Sequence, residues 1–235
     1  MPHDHHDHDH GHGHGHAHHS HEGMSPSGHP YRADQDAPLT DAQALEIAVR
    51  ELLVEKGIVT EAQIAEAIAR MDARSPAMGA KVVARAWTDP AYKARLLADG
   101  SAAARELGAD IDALKLVVVE NDAATHNVIV CTLCSCYPRT LLGLPPDWYK
   151  QRAYRSRVVI EPRRVLSEFG LDLPDEVAVR VHDSTADMRY LVLPARPQGT
   201  EGWSEERLAA LVDRDSMIGV AVPRLPAGDE AAAAG

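Results

Sequence analysis

Apolar residues recur along the chain at two periods, and the change of period divides it. Thr40-x-x-Gln43 is a capping box, and Leu45, Ala48, Val49, Leu52 and Leu53 follow on one helical face until Gly57. Thr60-x-x-Gln63 repeats the signal, with Ile64, Ala67, Ile68 and Met71 on one face. Both stripes are narrow. They suit an arm laid on a partner subunit, and equally a hairpin packed on its own domain. A third helix is expected over 78–87. Asp89 caps a fourth with Pro90 in its first turn and Gly100 as its stop, and Ser101–Gly108 is a short Ala-rich fifth.

The pattern then turns β-branched. Leu114–Val119, Val128–Val130, Arg157–Ile160, Val177–Val181 and Tyr190–Leu193 read as strands. Between and after them, Pro162–Phe169 reads as a helix closed by Gly170, and Ser204 caps Glu205–Val212. The fold class is α+β: an N-terminal helical arm, then a layered α/β/β/α-type body. The expected boundaries are a disordered tail over 1–37, the arm over 38–76, the body over 77–227 and a short disordered tail over 228–235.

Composition is that of a globular protein, with 45% hydrophobic and 25% charged residues in 235. Residues 1–37 carry six acids against one arginine, so −6 of the net −11 belongs to the rest. An acidic body argues against nucleic acid. No apolar run is long enough for a membrane span, and no signal-peptide core is visible, so the expected compartment is the cytoplasm. Twelve of the 14 histidines lie in residues 1–29, alternating with Asp and Gly. That tail reads as a metal reservoir or as a solvated segment that binds divalent ions without purpose.

All three cysteines fall in Cys131-Thr132-Leu133-Cys134-Ser135-Cys136. A disulfide framework spreads its cysteines, so metal or redox chemistry is the better reading. A zinc site of three cysteines with His126 is one possibility. A thioredoxin-like dithiol is another, against which Pro138 and the third thiol speak. The Cys134-Ser135-Cys136 spacing permits more. A metal held by both sulfurs is brought against the amides of Ser135 and Cys136. Deprotonated, those amides and Cys131 would complete three sulfurs and two nitrogens, a set that favours a small trivalent ion and leaves one position open.

This loop resembles that of the nitrile hydratase α subunit. So do Gly79-Ala80-Lys81-Val82-Val83, Ala86-Trp87-Thr88-Asp89-Pro90, Leu142-Gly143-Leu144-Pro145-Pro146, Tyr154-Arg155-Ser156-Arg157, Glu161-Pro162-Arg163, the Arg196–Ser204 stretch and Ser216-Met217-Ile218-Gly219-Val220. The resemblance runs from about residue 40 to 225. It implies one Co(III) per subunit, with Thr132 marking the cobalt rather than the Fe(III) type. The implied ligands are the sulfurs of Cys131, Cys134 and Cys136 and the amide nitrogens of Ser135 and Cys136. It further implies a sulfinate at Cys134, a sulfenate at Cys136, and a β subunit whose arginines clamp the oxidised loop. The implied reaction is hydration of a small nitrile to its amide, with water or the Cys136 sulfenate oxygen as nucleophile. Ser135 is a candidate hydrogen-bonding or base partner. Asp183, Ser184, Asp187 and Arg189 resemble the family's Asp-Ser-x-x-Glu-x-Arg stretch, with Asp183 and Arg189 either influencing catalysis or forming a structural ion pair. For Glu161 and Arg163, helix capping and surface pairing are the expected roles. A metallochaperone or activator protein is an implied further partner.

Three departures stand out. Gly108-Ala109-Asp110-Ile111-Asp112 lacks the family's glutamine. Tyr137-Pro138-Arg139-Thr140 replaces Tyr-Pro-Trp-Pro. Val181-His182-Asp183-Ser184 replaces Val-Trp-Asp-Ser. The thiocyanate hydrolase γ subunit shares the cobalt loop, a His/Asp-rich N-terminus and the Tyr-Pro-Arg that follows. It is the alternative reading, converting thiocyanate to carbonyl sulfide and ammonia. Glu161-Pro162-Arg163 and Leu144-Pro145-Pro146 favour the nitrile enzyme. A non-enzymatic cobalt- or nickel-handling protein would use the tail and loop but leave the C-terminal blocks without purpose.

Overall fold

A computed structural model describes residues 40–111 and 114–226. The expected tails over 1–37 and 228–235, and Asp112, lie outside. The two capping boxes form as expected. Thr40 starts α1 (Asp41–Glu55) and Thr60 starts α2 (Glu61–Asp72), each exchanging hydrogen bonds with the glutamine three residues on. Neither helix has a buried residue. Leu45 is 65% exposed and Leu52 47%, so the stripe is not spent on this chain's own core.

Helix α3 (Ala77–Thr88) is different, with Val82, Val83 and Ala86 buried. Asp89 accepts the Tyr92 amide hydrogen at 2.9 Å to start α4 (Pro90–Ala98), whose Tyr92 and Leu96 enter the core. The expected stop at Gly100 is corrected. Asp99 ends α4 and caps α5 (Gly100–Glu106), so Gly100 opens a helix. A Cβ there would lie 2.7 Å from the Leu116 carbonyl oxygen, so the glycine serves close packing.

Four strands follow. β1 (Lys115–Glu120) pairs in parallel with β4 (Met188–Leu193), and β2 (Thr125–Val130) in parallel with β3 (Ala178–Asp183). Consecutive β1 and β2 thus enter different sheets, each two-stranded. Between the sheets' strands in sequence lie α6 (Arg139–Leu142), α7 (Asp147–Lys150), α8 (Arg152–Arg157) and α9 (Pro162–Glu168). α10 (Glu205–Ala209) and α11 (Arg214–Ile218) come after β4. Helices α4 and α5 pack on β1, α9 on β3, and α11 on β2 and β4, while β2 also meets β4. This is the mixed, layered α+β body that the changing periods imply.

The expected strand over Arg157–Ile160 is corrected: Arg157 ends α8 and the next residues turn. Ile160 and Glu161 donate back to the Arg157 carbonyl, and the Arg157 guanidinium grips Glu161 at 2.6 Å and Glu168 at 2.6 Å. Val158 alone of the β-branched trio is buried, and Ile160 is 82% exposed. No described helix is long and apolar enough to cross a membrane.

The register fixes where the loop begins. Val130, the last residue of β2, stands opposite Asp183, the last of β3. Behind them an aromatic group closes the core, with Trp148 edge-on to Phe169 at 4.6 Å and to Tyr154 at 4.9 Å. The Tyr154 hydroxyl donates to the Ile129 carbonyl at 2.7 Å, tying that group to β2.

Candidate metal centre

Cys131 is buried directly after β2, and the chain then emerges at the surface: Leu133 is 88% exposed. Cys134 is exposed, Ser135 and Cys136 are half-buried, and Tyr137 and Pro138 return to the interior. Such an excursion needs anchors, because its backbone groups have no sheet or helix partners. Asp183 provides one. Its carboxylate accepts the Thr132 amide hydrogen at 2.9 Å and the Thr132 hydroxyl hydrogen at 2.5 Å. Arg155 provides a second, its guanidinium donating to the Thr132 carbonyl at 3.0 Å and the Lys150 carbonyl at 3.1 Å. The Tyr149 hydroxyl donates to the Cys136 carbonyl at 3.0 Å. The Cys134 amide points at the Cys131 sulfur at 3.3 Å.

These anchors bring three sulfurs together. Cys131 Sγ and Cys134 Sγ are 3.4 Å apart, Cys134 Sγ and Cys136 Sγ 3.1 Å apart, and all three lie within 4.8 Å of one another. Metal–sulfur bonds of about 2.3 Å put two sulfurs at right angles on one ion about 3.2 Å apart, and two in a tetrahedron about 3.8 Å apart. The two short spacings fit the right-angled arrangement of a five- or six-coordinate ion. His126 does not join them. It is buried, with Nε2 2.7 Å from the Gly219 carbonyl and Nδ1 3.2 Å from the Asn121 amide. Among the described residues the ligand cluster holds cysteines only.

The sulfurs differ electrostatically. Hydrogen bonds from Cys136 and Cys131 pull the Cys134 thiol down to about 7. Burial, then Cys134 and Cys131, push the Cys136 thiol up to about 12, with the Arg189 charge opposing. A cavity of about 400 Å³ opens beside the loop, lined by Cys134, Ser135 and Cys136 and by parts of β1, α6 and Arg189.

Asp183 and Arg189 have separate partners and form no ion pair with each other. Asp183 holds the loop's first turn, while Arg189 donates to the carbonyls of Thr185, Ala186 and Met188 and turns its charge to Cys136. Ser184 is buried, its amide donating to the Val130 carbonyl, and Asp187 is exposed. Glu161 pairs with Arg157 and Arg164, and Arg163 donates to the carbonyls of Leu173, Pro174, Asp175 and Val177. The clamping roles of Arg155 and Tyr149 were not visible in the sequence. Arg155 at least lies within a resemblance block; Tyr149 carried no local signal.

Comparison with known proteins covers most of the described chain. The family model for the nitrile hydratase alpha chain matches residues 40–221. The high-molecular weight cobalt-containing nitrile hydratase subunit alpha of Rhodococcus rhodochrous is 52% identical over 184 residues, covering 77% of this chain and 91% of its own. The thiocyanate hydrolase subunit gamma of Thiobacillus thioparus is 43% identical over 198 residues, covering 79% and 82%. Among solved structures, a double mutant of the Fe-type nitrile hydratase from Comamonas testosteroni Ni1 superposes with a TM-score of 0.77 at 45% identity, covering 81% and 97%.

Proposed function

Because this chain belongs to the nitrile hydratase α-chain family, we propose that it is the α subunit of a cobalt nitrile hydratase, converting nitriles to amides. The gathering of the Cys131, Cys134 and Cys136 sulfurs on one loop carries the reading: the two spacings of 3.4 and 3.1 Å are shorter than the about 3.8 Å of a tetrahedral pair, and among the described residues no fourth side-chain ligand joins them. Those three sulfurs and the amide nitrogens of Ser135 and Cys136 would hold the ion. Bound there, cobalt(III) supplies a Lewis acid that polarises C≡N.

The chain's own residues prepare the place. Asp183 and Arg155 hold Thr132 from two sides, so the loop keeps its shape without drawing on the metal for it. Tyr149 holds the Cys136 carbonyl, which fixes the far end. The Ser135 side chain, on the cavity wall, is the group we assign to orient the attacking water. Arg189 places a positive charge facing Cys136, where negative charge collects.

Exposure falls from Cys134 through Cys136 to Cys131. Oxidation follows access, so the order supports a sulfinate at Cys134, a sulfenate at Cys136 and an unoxidised Cys131. Nitrile hydratase α subunits work with β subunits. We assign the exposed stripe of α1 and α2 to that partner, because burying Leu45, Val49 and Leu52 against it removes apolar surface this chain leaves in water.

The test is a peptide mass spectrum across Cys131–Cys136, with a nitrile hydration assay, on the cobalt-loaded complex with its β subunit. Two added oxygens on Cys134, one on Cys136, and amide formation are expected. Three unmodified thiols in a fully loaded complex that forms no amide would refute it.

A further inference from the structure

The cavity beside the cysteine loop has an unusual wall. Arg74, Lys115, Arg139 and Arg189 line it, and among its described lining residues there is no Asp or Glu. None of the four enters an ion pair among the described residues. Arg189 spends donors on the neutral carbonyls of Thr185, Ala186 and Met188, which leaves its charge uncancelled. The whole chain is −11, so four cations gathered with no acid among the described lining residues run against its overall charge.

The centre accounts for part of this. Three sulfur anions and two amide anions around a trivalent ion leave a net charge of roughly −2, which two cations would balance. Two remain. Lys115 and Arg139 are both exposed on the wall, and the half-buried Ile111 and Leu114 add apolar lining to the same cavity. The volume, about 400 Å³, exceeds what a two-carbon nitrile needs and lies within the range of small-molecule sites.

We propose that this cavity selects nitriles that carry a carboxylate on a short apolar spacer. Lys115 and Arg139 hold the carboxylate while the C≡N end meets the cysteine loop. Arg139 can meet both carboxylate oxygens through its planar fork. This assignment rests on the hydratase reading above and names its substrate class.

The experiment uses the cobalt-loaded complex with its β subunit and three probes: 3-cyanopropanoate, its neutral counterpart 3-cyanopropanamide, and thiocyanate. The readout is the ratio of kcat/KM for the carboxylate over that for the amide. A ratio well above one is expected. Lys115→Gln and Arg139→Gln should each lower it about fivefold, whereas Arg139→Lys, which keeps the charge and loses the fork, should restore it only in part. Raising salt from about 0.05 M to about 0.5 M should lower it in the parent and far less in the double variant. Hydration of the neutral compound with a ratio at or below one, unmoved by either substitution, overturns the carboxylate assignment and leaves the hydratase reading standing. Consumption of thiocyanate with neither nitrile hydrated overturns the hydratase reading, and the carboxylate assignment falls with it.

Discussion

Asp183→Ala should open the cysteine loop without unfolding the chain. The carboxylate accepts two hydrogen bonds from one residue, the Thr132 amide at 2.9 Å and the Thr132 hydroxyl at 2.5 Å. Hydrogen bonds to a charged group contribute about 1.5–3 kcal/mol each. Asp183 is exposed, so the lower end applies, and the pair contributes about 3 kcal/mol to the closed loop. That is about 150-fold in the ratio of closed to open loop. Asp183→Asn retains an acceptor for the amide but loses the charge, and should cost about tenfold. Thr132→Val removes only the hydroxyl bond and should also cost about tenfold, while adding little once Asp183 is already alanine. The assay is hydrogen exchange by mass spectrometry on the peptide spanning Cys131–Cys136, with cobalt content measured on the same complexes. Protection should fall in the order wild type, Asn, Ala, and cobalt retention should follow it. Unchanged protection and cobalt content in Asp183→Ala would refute the reasoning. So would a loss of protection spread equally over β2 and β3, because the effect would then be general destabilisation.

Three further outcomes are expected. Leu52→Glu and Leu45→Glu should weaken association with the β subunit about 30-fold each, measured by titration, from about 2 kcal/mol of apolar burial lost; the Tm of the isolated chain should barely move, since neither side chain is buried in it. Gly100→Ala should lower stability by about 2–4 kcal/mol in chemical denaturation, because its Cβ would meet the Leu116 carbonyl at 2.7 Å and the Val118 side chain at 2.9 Å. Burial holds His126 and His182 below the ordinary histidine value, the Arg180 charge assisting at His182, so both stay neutral in the fold. The unfolded chain takes up those protons as pH falls through about 6.5 and the native state does not; stability is therefore intact above that pH and lost below it, by up to about 1.4 kcal/mol per pH unit for each group. His182→Phe, which keeps a ring against Tyr190, should flatten the fall in Tm between about pH 6.5 and 5.

Much of the local structure is legible in the sequence. Thr40 with Gln43 and Thr60 with Gln63 announce two helix starts, because a cap and its reciprocal bond are written within four residues. The candidate ligand set was legible for the same reason: three cysteines in six positions must share one loop. The failures are equally local in origin. Val158-Val159-Ile160 has strand composition, yet the Arg157 grip on Glu161 and Glu168 and the burial of Val158 alone make it a turn. Gly100 reads as a stop until β1 is seen pressed against it.

By itself, then, the chain's order of residues determined the helix starts, the change from helical to β-branched periods, and the one loop able to gather three sulfurs. Tertiary structure alone decided that β1 takes β4 and β2 takes β3, since parallel pairing joins segments far apart in sequence and leaves no local trace. That pairing brings Asp183 opposite Val130 and within reach of Thr132, 51 positions away. The same long-range folding sets Arg74, Lys115, Arg139 and Arg189 around one cavity. Periodicity and capping report on neighbours within a turn or a pleat, whereas the environment of the sulfurs is assembled from segments that meet only when the core closes.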